Sequence, residues 1–277
     1  MSPLLLLLQA APAEAAAHGT PAGTEDPGAV LMHHALDGAI RLGPIVIPSR
    51  HFFFFVLAAL ILIVLARAAV RSYRGGQVPH GLGAAVEALV IYIRDEVAEP
   101  SIGHGEGVKF TPLLCSFFSF ILVAAFLGLM PFSATSTGNL AVTMALAGVS
   151  FIAQQYAGIA KYGVVGHLRN LLPPGLPIWL IPFMIPIEII GVFTKPFALM
   201  IRLFANMLAG HMVITALLML IALMAKVHLV AGLAMTPVSL ALALFIMMLE
   251  ILVAFIQAYI FTLLSAIFIG MYAHPVH

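Results

Sequence analysis

Two apolar stretches, Ile178–Ala225 and Leu229–Tyr272, constrain this chain more than any other feature. As straight helices they would measure roughly 72 and 66 Å at about 1.5 Å per residue, more than twice the ~30 Å of a bilayer's hydrocarbon core. Neither can stand upright in a membrane. No polar turn interrupts residues 187–225, so each stretch is read as one long, steeply tilted helix rather than two spans. Pro182, Pro186, Pro196 and Pro237 are expected as bends in their early parts.

The rest of the chain agrees with a membrane setting. It is 62% hydrophobic and 8% charged, with a mean hydropathy of +1.12, where a soluble domain is about a quarter charged. Phe52–Val70 is long enough to span and is followed by Arg67, Arg71 and Arg74, which mark a cytoplasmic end. Gly81–Glu99 carries Glu87, Arg94, Asp95 and Glu96 among Leu and Ile, and reads as an amphipathic helix at the interface. Thr111–Met130 and Leu140–Ala160 form a hairpin through the polar turn Ser133–Gly138, and His167–Pro177, with Arg169, reads as a cytoplasmic connection.

The expected fold is an all-α membrane protein of about five membrane helices plus one amphipathic helix, its last two helices forming a long, tilted antiparallel hairpin. Residues 51–277 make one membrane-embedded unit. Residues 1–50 are expected to be an extracytoplasmic segment, partly disordered. Leu4–Leu8 and the Ala-rich sequence after it look like the core of a signal peptide that lacks its basic start. His33 and His34 read as a solvated pair. Lys and Arg weighting places the N-terminus outside and the C-terminus in the cytoplasm. A formal charge of +1 gives no footing for nucleic acid, and the single cysteine, Cys115, excludes an internal disulfide. Nothing in the sequence calls for a metal or another cofactor.

Polar residues inside such a chain are costly, by several kcal/mol each at mid-membrane, and their default reading is functional. At about 100° per residue, Glu188, Lys195, Arg202 and Asn206 share one face of the first long helix, while His211 lies about 140° from Glu188. Glu250 and Gln257 share a face of the second helix. If the two helices turn near Val230, one antiparallel register sets Arg202 near Gln257 and His211 near Glu250. Arginine holds its charge and cannot relay a proton, whereas histidine and glutamate titrate. That combination suits a barrier beside a relay. Asn139 and Thr143 stand at the outer end of the earlier hairpin, either lining a wet entrance or serving as a helix cap and a side chain bonded back to its own helix.

At these residues the chain resembles subunit a of the rotary F-type ATP synthases. The likeness lies in Lys195–His211, with Arg202-Leu-Phe-Ala-Asn206, in Leu249–Thr262, and in Leu127–Pro131 with Thr137–Asn139, and it runs from about Phe52 to Tyr272. The resemblance implies a stator protein held against a rotating c-ring by peripheral-stalk b subunits, with two offset aqueous half-channels for protons. It implies that Arg202 faces the ring carboxylate and blocks leakage, with Asn206 and Gln257 as polar neighbours. Glu188 would belong to the cytoplasmic exit, His211 and Glu250 to the outer entrance, and Lys195 and Asn139 to the channel walls. It further implies the bacterial inner membrane and no catalysis by this chain alone. Sodium in place of protons stays open, because the ion-binding carboxylate lies on the ring. Rival readings fit less well. A secondary transporter would bring an internal repeat with broken helices, and an intramembrane metalloenzyme a His-Glu-x-x-His motif; the sequence has neither.

Overall fold

A computed structural model describes residues 40–42, 45–47, 50–73, 81–129, 139–170 and 180–274. The signal-like Leu4–Leu8, His33–His34, Arg74, the turn Ser133–Gly138 and the side chain of Arg169 lie outside the described residues. Two three-residue strands, β1 (Ile40–Leu42) and β2 (Ile45–Ile47), pair antiparallel ahead of the first helix, with Arg41 opposite Val46. All other described elements are helical. They are α1 (Arg50–Tyr73), α2 (Leu82–Tyr92), a π-helix (Ile93–Ala98), α3 (Glu99–Ile102), α4 (Glu106–Gly128), α5 (Leu140–Asn170), α6 (Ile181–Val227) and α7 (Leu229–Ala273).

Among the described residues, five helices are long and apolar enough to cross a membrane: α1, α4, α5, α6 and α7. The chain is an all-α, multi-pass membrane protein, as its apolar runs require. The two long stretches are single helices of 47 and 45 residues, joined at His228, whose backbone is extended. Helices of that length fit a bilayer only by lying at a steep angle. Pro182 falls in the first turn of α6, where a proline costs no hydrogen bond, so it starts the helix rather than bending it. Pro186, Pro196 and Pro237 sit inside the helices without ending them.

Three boundaries differ from the sequence reading. The amphipathic segment is not one regular helix, because a π-helical turn carries Arg94, Asp95 and Glu96 outward while Ile93, Val97 and Ala98 are fully buried. Arg94 and Asp95 pair on the surface, and the guanidinium holds the Asp95 carboxyl below its ordinary value by hydrogen bonding. The second span starts earlier than Thr111, at Glu106, because Gly103 and Gly105 take left-handed φ values of 107° and 83° that turn the chain into α4. The third span runs past Ala160 to Asn170, with a reversal at Gly163, where φ is 70°. His167 is therefore helical and buried, not part of an exposed connection.

The core forms around α7. Ile93, Ile102, Leu114, Phe117, Ile121, Leu199, Leu203, Phe261 and Ile269 make one cluster, with Phe117 and Phe261 edge to face at 5.4 Å between centroids. A second cluster seats Ala58 of α1 on Phe120, Ala124 and Leu127 of α4. The buried face of α7 is made largely of small residues, Ser239, Ala243, Ala254, Ala258, Ser265 and Ala266. Inside a membrane lipid tails are as apolar as leucine, so helices associate through close packing of small residues and interhelical hydrogen bonds. One such bond joins Ser150 Oγ of α5 to Ser265 Oγ at 2.8 Å, with Gln154 Nε2 donating to Ser150 at 3.1 Å.

At one end of the bundle, Lys161 Nζ lies 3.1 Å from Glu106 Oε1, and His274 Nε2 lies 3.0 Å from Glu106 Oε2. The start of α4 and the ends of α5 and α7 thus meet, as alternating crossings require. Gly270 packs directly on the carbonyl of Ser101, leaving no room for a Cβ. Gly270→Ala should destabilise the fold by about 1–3 kcal/mol, read as a lower inactivation temperature of the purified protein in detergent.

Candidate functional site

The site is built on the seam between α6 and α7. On α6 the ridge Leu199, Leu203 and Met207 is buried against α7, each residue at most 3% exposed. Taking Leu203 as the centre of that ridge, Arg202 and Asn206 fall about 100° and 60° to one side and His211 about 80° to the other. The ridge therefore separates the fixed charge from the titrating side chain. Arg202 and Asn206 are exposed on the outer surface of the hairpin, next to exposed Phe197 and Ile201.

Asn206 Nδ2 donates to Gln257 Oε1 at 2.9 Å. Gln257 is buried, so the sequence's pairing of Gln257 near Arg202 becomes a bond to Asn206, one turn further along α6. The long arginine side chain lies at the edge of the seam, while the shorter amide reaches into it. His211 Nε2 stands 4.0 Å from Glu250 Oε1, with Glu250 only 5% exposed at its side chain. Neither Glu250 oxygen has a hydrogen-bond partner among the described residues. Gly210 makes room for this carboxylate, since a Cβ there would lie 2.6 Å from Glu250 Oε1. The imidazole and the carboxyl are thus two titratable groups facing each other across the seam.

Glu188 and Lys195 are half-buried on the same flank as Arg202. Lys195 Nζ contacts Met271 Sδ at 3.2 Å and lies over the rings of Phe268 and Tyr272, 5.7 and 5.2 Å from their centroids. Aromatic faces and a thioether thus partly replace water around the ammonium. Asn139 Oδ1 accepts the backbone N–H of Ala141 at 2.8 Å, which makes it the cap of α5, and Thr143 Oγ1 donates to Leu140 O at 3.0 Å. For these two residues the structure supplies local helix-end roles. Among the described residues no group of three or more His, Cys, Asp or Glu could hold a metal ion.

Arg202 has no ion-pair or hydrogen-bond partner among the described residues. An unpaired guanidinium facing lipid would be costly.

Sequence reasoning missed His167, Gln155 and Tyr272. His167 Nε2 lies 2.7 Å from Gln155 Oε1, and its ring is 5.5 Å from that of Tyr272. The signal available in the sequence was Gly163 amid helical residues, but a glycine alone does not say that the chain beyond it turns back onto the core.

Comparison with known proteins supplies the family. Residues 52–270 match the family model described as ATP synthase A chain. Among curated proteins, the chain is 43% identical to "ATP synthase subunit a 2" of Chlorobaculum tepidum, over 94% of this chain and 77% of that one. It is 46% identical to "ATP synthase subunit a" of Myxococcus xanthus, over 90% and 77%, and 42% identical to that of Anaeromyxobacter dehalogenans (strain 2CP-C), over 93% and 75%.

The register of the seam can be checked chemically. With Cys115 replaced by serine, paired cysteines at 206 and 257, or at 211 and 250, should crosslink under mild oxidation, and 206 with 253 should not. Gel mobility after cleavage at a protease site engineered at the His228 junction reads the result.

Proposed function

Because the chain belongs to the ATP synthase A chain family, we propose that it is the stator of that enzyme's proton path, passing protons to and from a rotating ring of c subunits. It is a non-catalytic membrane subunit of the synthase complex, in its Fo sector. The observation that carries the finer reading is Arg202, exposed among apolar residues on the outer face of the hairpin with no acidic partner of its own. A ring of carboxylates sliding past that face would give the guanidinium its counter-ion.

The roles follow from the chemistry. A proton enters from outside past His211 and Glu250, a titrating pair about 4.0 Å apart on the flank away from the arginine. It neutralises a ring carboxylate, which then moves into lipid as a neutral acid. After nearly a full turn that carboxyl returns to the opposite flank and loses its proton toward Glu188. The resulting carboxylate is attracted to Arg202, which stays protonated and so stops protons crossing directly from one flank to the other. Asn206 and Gln257, bonded to each other, hold the α6–α7 seam closed between the two flanks. Lys195 lines the inner path beside Glu188, and Asn139, its carbonyl engaged in the cap, stands at the outer mouth. The driving force is about 2.3 kcal/mol per charge per 100 mV, added to the pH difference.

The orientation that fits is an extracytoplasmic N-terminus and a cytoplasmic C-terminus in a bacterial inner membrane, with b subunits of the peripheral stalk holding the chain against rotation. The transported ion is taken as H⁺, and pumping that rises with added sodium at constant pH would assign Na⁺ instead. In inverted vesicles, Arg202→Ala should abolish ATP-driven acidification while the soluble catalytic head still hydrolyses ATP. Normal acidification by that variant would refute the reading.

A further inference from the structure

We propose that His167, Gln155 and Tyr272 form a hydrated inner end of the proton path that leaves Glu188, with His167 as a second titrating group on it. The proposal rests on the reading of Glu188 as the exit residue and extends it to side chains of two further helices.

The first observation is the burial of His167. The reversal at Gly163 turns the end of α5 back onto the bundle, so that the imidazole is 5% exposed, packs against Gly158 and bonds Gln155. A histidine that only decorated a loop would be solvated. The second is a group of polar atoms without partners. Tyr272 Oη, Gln155 Nε2 and, one residue away, Gln154 Oε1 are all buried and lack a hydrogen bond among the described residues. Buried polar atoms nearly always have partners, and internal water supplies them where protein does not. Three such atoms at one helix interface point to water held between α5 and α7.

The third observation connects this water to the exit residue. The ring of Tyr272 lies under Lys195 Nζ at 5.2 Å, about two helical turns along α6 from Glu188, and also meets the His167 ring at 5.5 Å between centroids. Tyr272 thus stands between His167 and the face of α6 that carries Glu188 and Lys195. The fourth is the way out. Beyond Tyr272, Ala273, Glu106 and Lys161 border an open cavity of about 400 Å³, and His274 pairs with Glu106. The ionisable groups on the elements that meet here are Glu188 and Lys195 on α6, Tyr272 on α7 with His274 just past its end, Tyr156, Lys161 and Tyr162 on α5, and Glu106 and Lys109 on α4.

The transfer balances without any further reactant. Protonated Glu188 gives its proton through water to a ring nitrogen of His167 and returns to carboxylate. The imidazolium then gives a proton to water at the open end and returns to neutral imidazole.

The test uses the whole ATP synthase in inverted membrane vesicles, with subunit content measured by immunoblot. His167→Gln keeps a polar side chain but cannot titrate, and Tyr272→Phe removes one oxygen and no volume. Each should lower ATP-driven acidification about fivefold or more with normal assembly. In vesicles stripped of the catalytic head, His167→Gln should also flatten the dependence of passive proton conduction on pH between about 5.5 and 7.5. Wild-type acidification by His167→Gln, or a loss with an unchanged pH profile, would overturn the proposal. Should His167→Gln fail to assemble, Tyr272→Phe decides, and wild-type acidification by it overturns the proposal. Arg202→Ala in the same vesicles separates the two levels. If it pumps normally the stator reading fails, and if it is inactive while both new variants pump normally only this extension fails.

Discussion

The α6–α7 seam is the contact on which the rest of the molecule depends. Leu199, Leu203 and Met207 on one side meet small residues of α7 on the other, and beside this close approach sit two polar pairs, Asn206 with Gln257 and His211 with Glu250. Because the apolar ridge runs between their flanks, the fixed charge of Arg202 and the titrating pair cannot mix. A looser seam would admit water along its length and join the two sides.

The other helices brace that seam in different ways. The π-helix and α3 drive Ile93, Val97 and Ile102 into the same cluster as Phe261 and Ile269, and Gly270 lets α7 touch the backbone of Ser101. Helix α5 adds the polar bond between Ser150 and Ser265 and the aromatic stack of Phe151 on Phe193, 5.7 Å between centroids. In an apolar solvent these specific contacts must supply the orientation that hydrophobic burial supplies in water. They fix where α7 lies behind α6, and so which face of α6 is left uncovered.

That uncovered face explains the exposure of Arg202. In a soluble protein an exposed arginine is ordinary, but on a membrane hairpin, beside exposed Ile201, it is costly. On the opposite, inner side of α7, Tyr272 and the α5 residues Gln154 and Gln155 carry buried polar atoms.

The sequence by itself determined what depends on composition and on helical period. Apolar runs gave the five membrane helices, the length of the last two forced a long hairpin, and the 100° spacing separated Arg202 and Asn206 from His211. A sum rule for antiparallel helices placed His211 opposite Glu250, and the structure sets them 4.0 Å apart. The same rule missed by one turn at Gln257, because it counts backbone positions and not side-chain reach. Only the tertiary structure decided what depends on close approach between distant segments. It buried one face of the charged segment at residues 93–98 and turned His167 inward after Gly163. Neither follows from local pattern, since a left-handed glycine permits several chain directions and only the neighbouring helices select one.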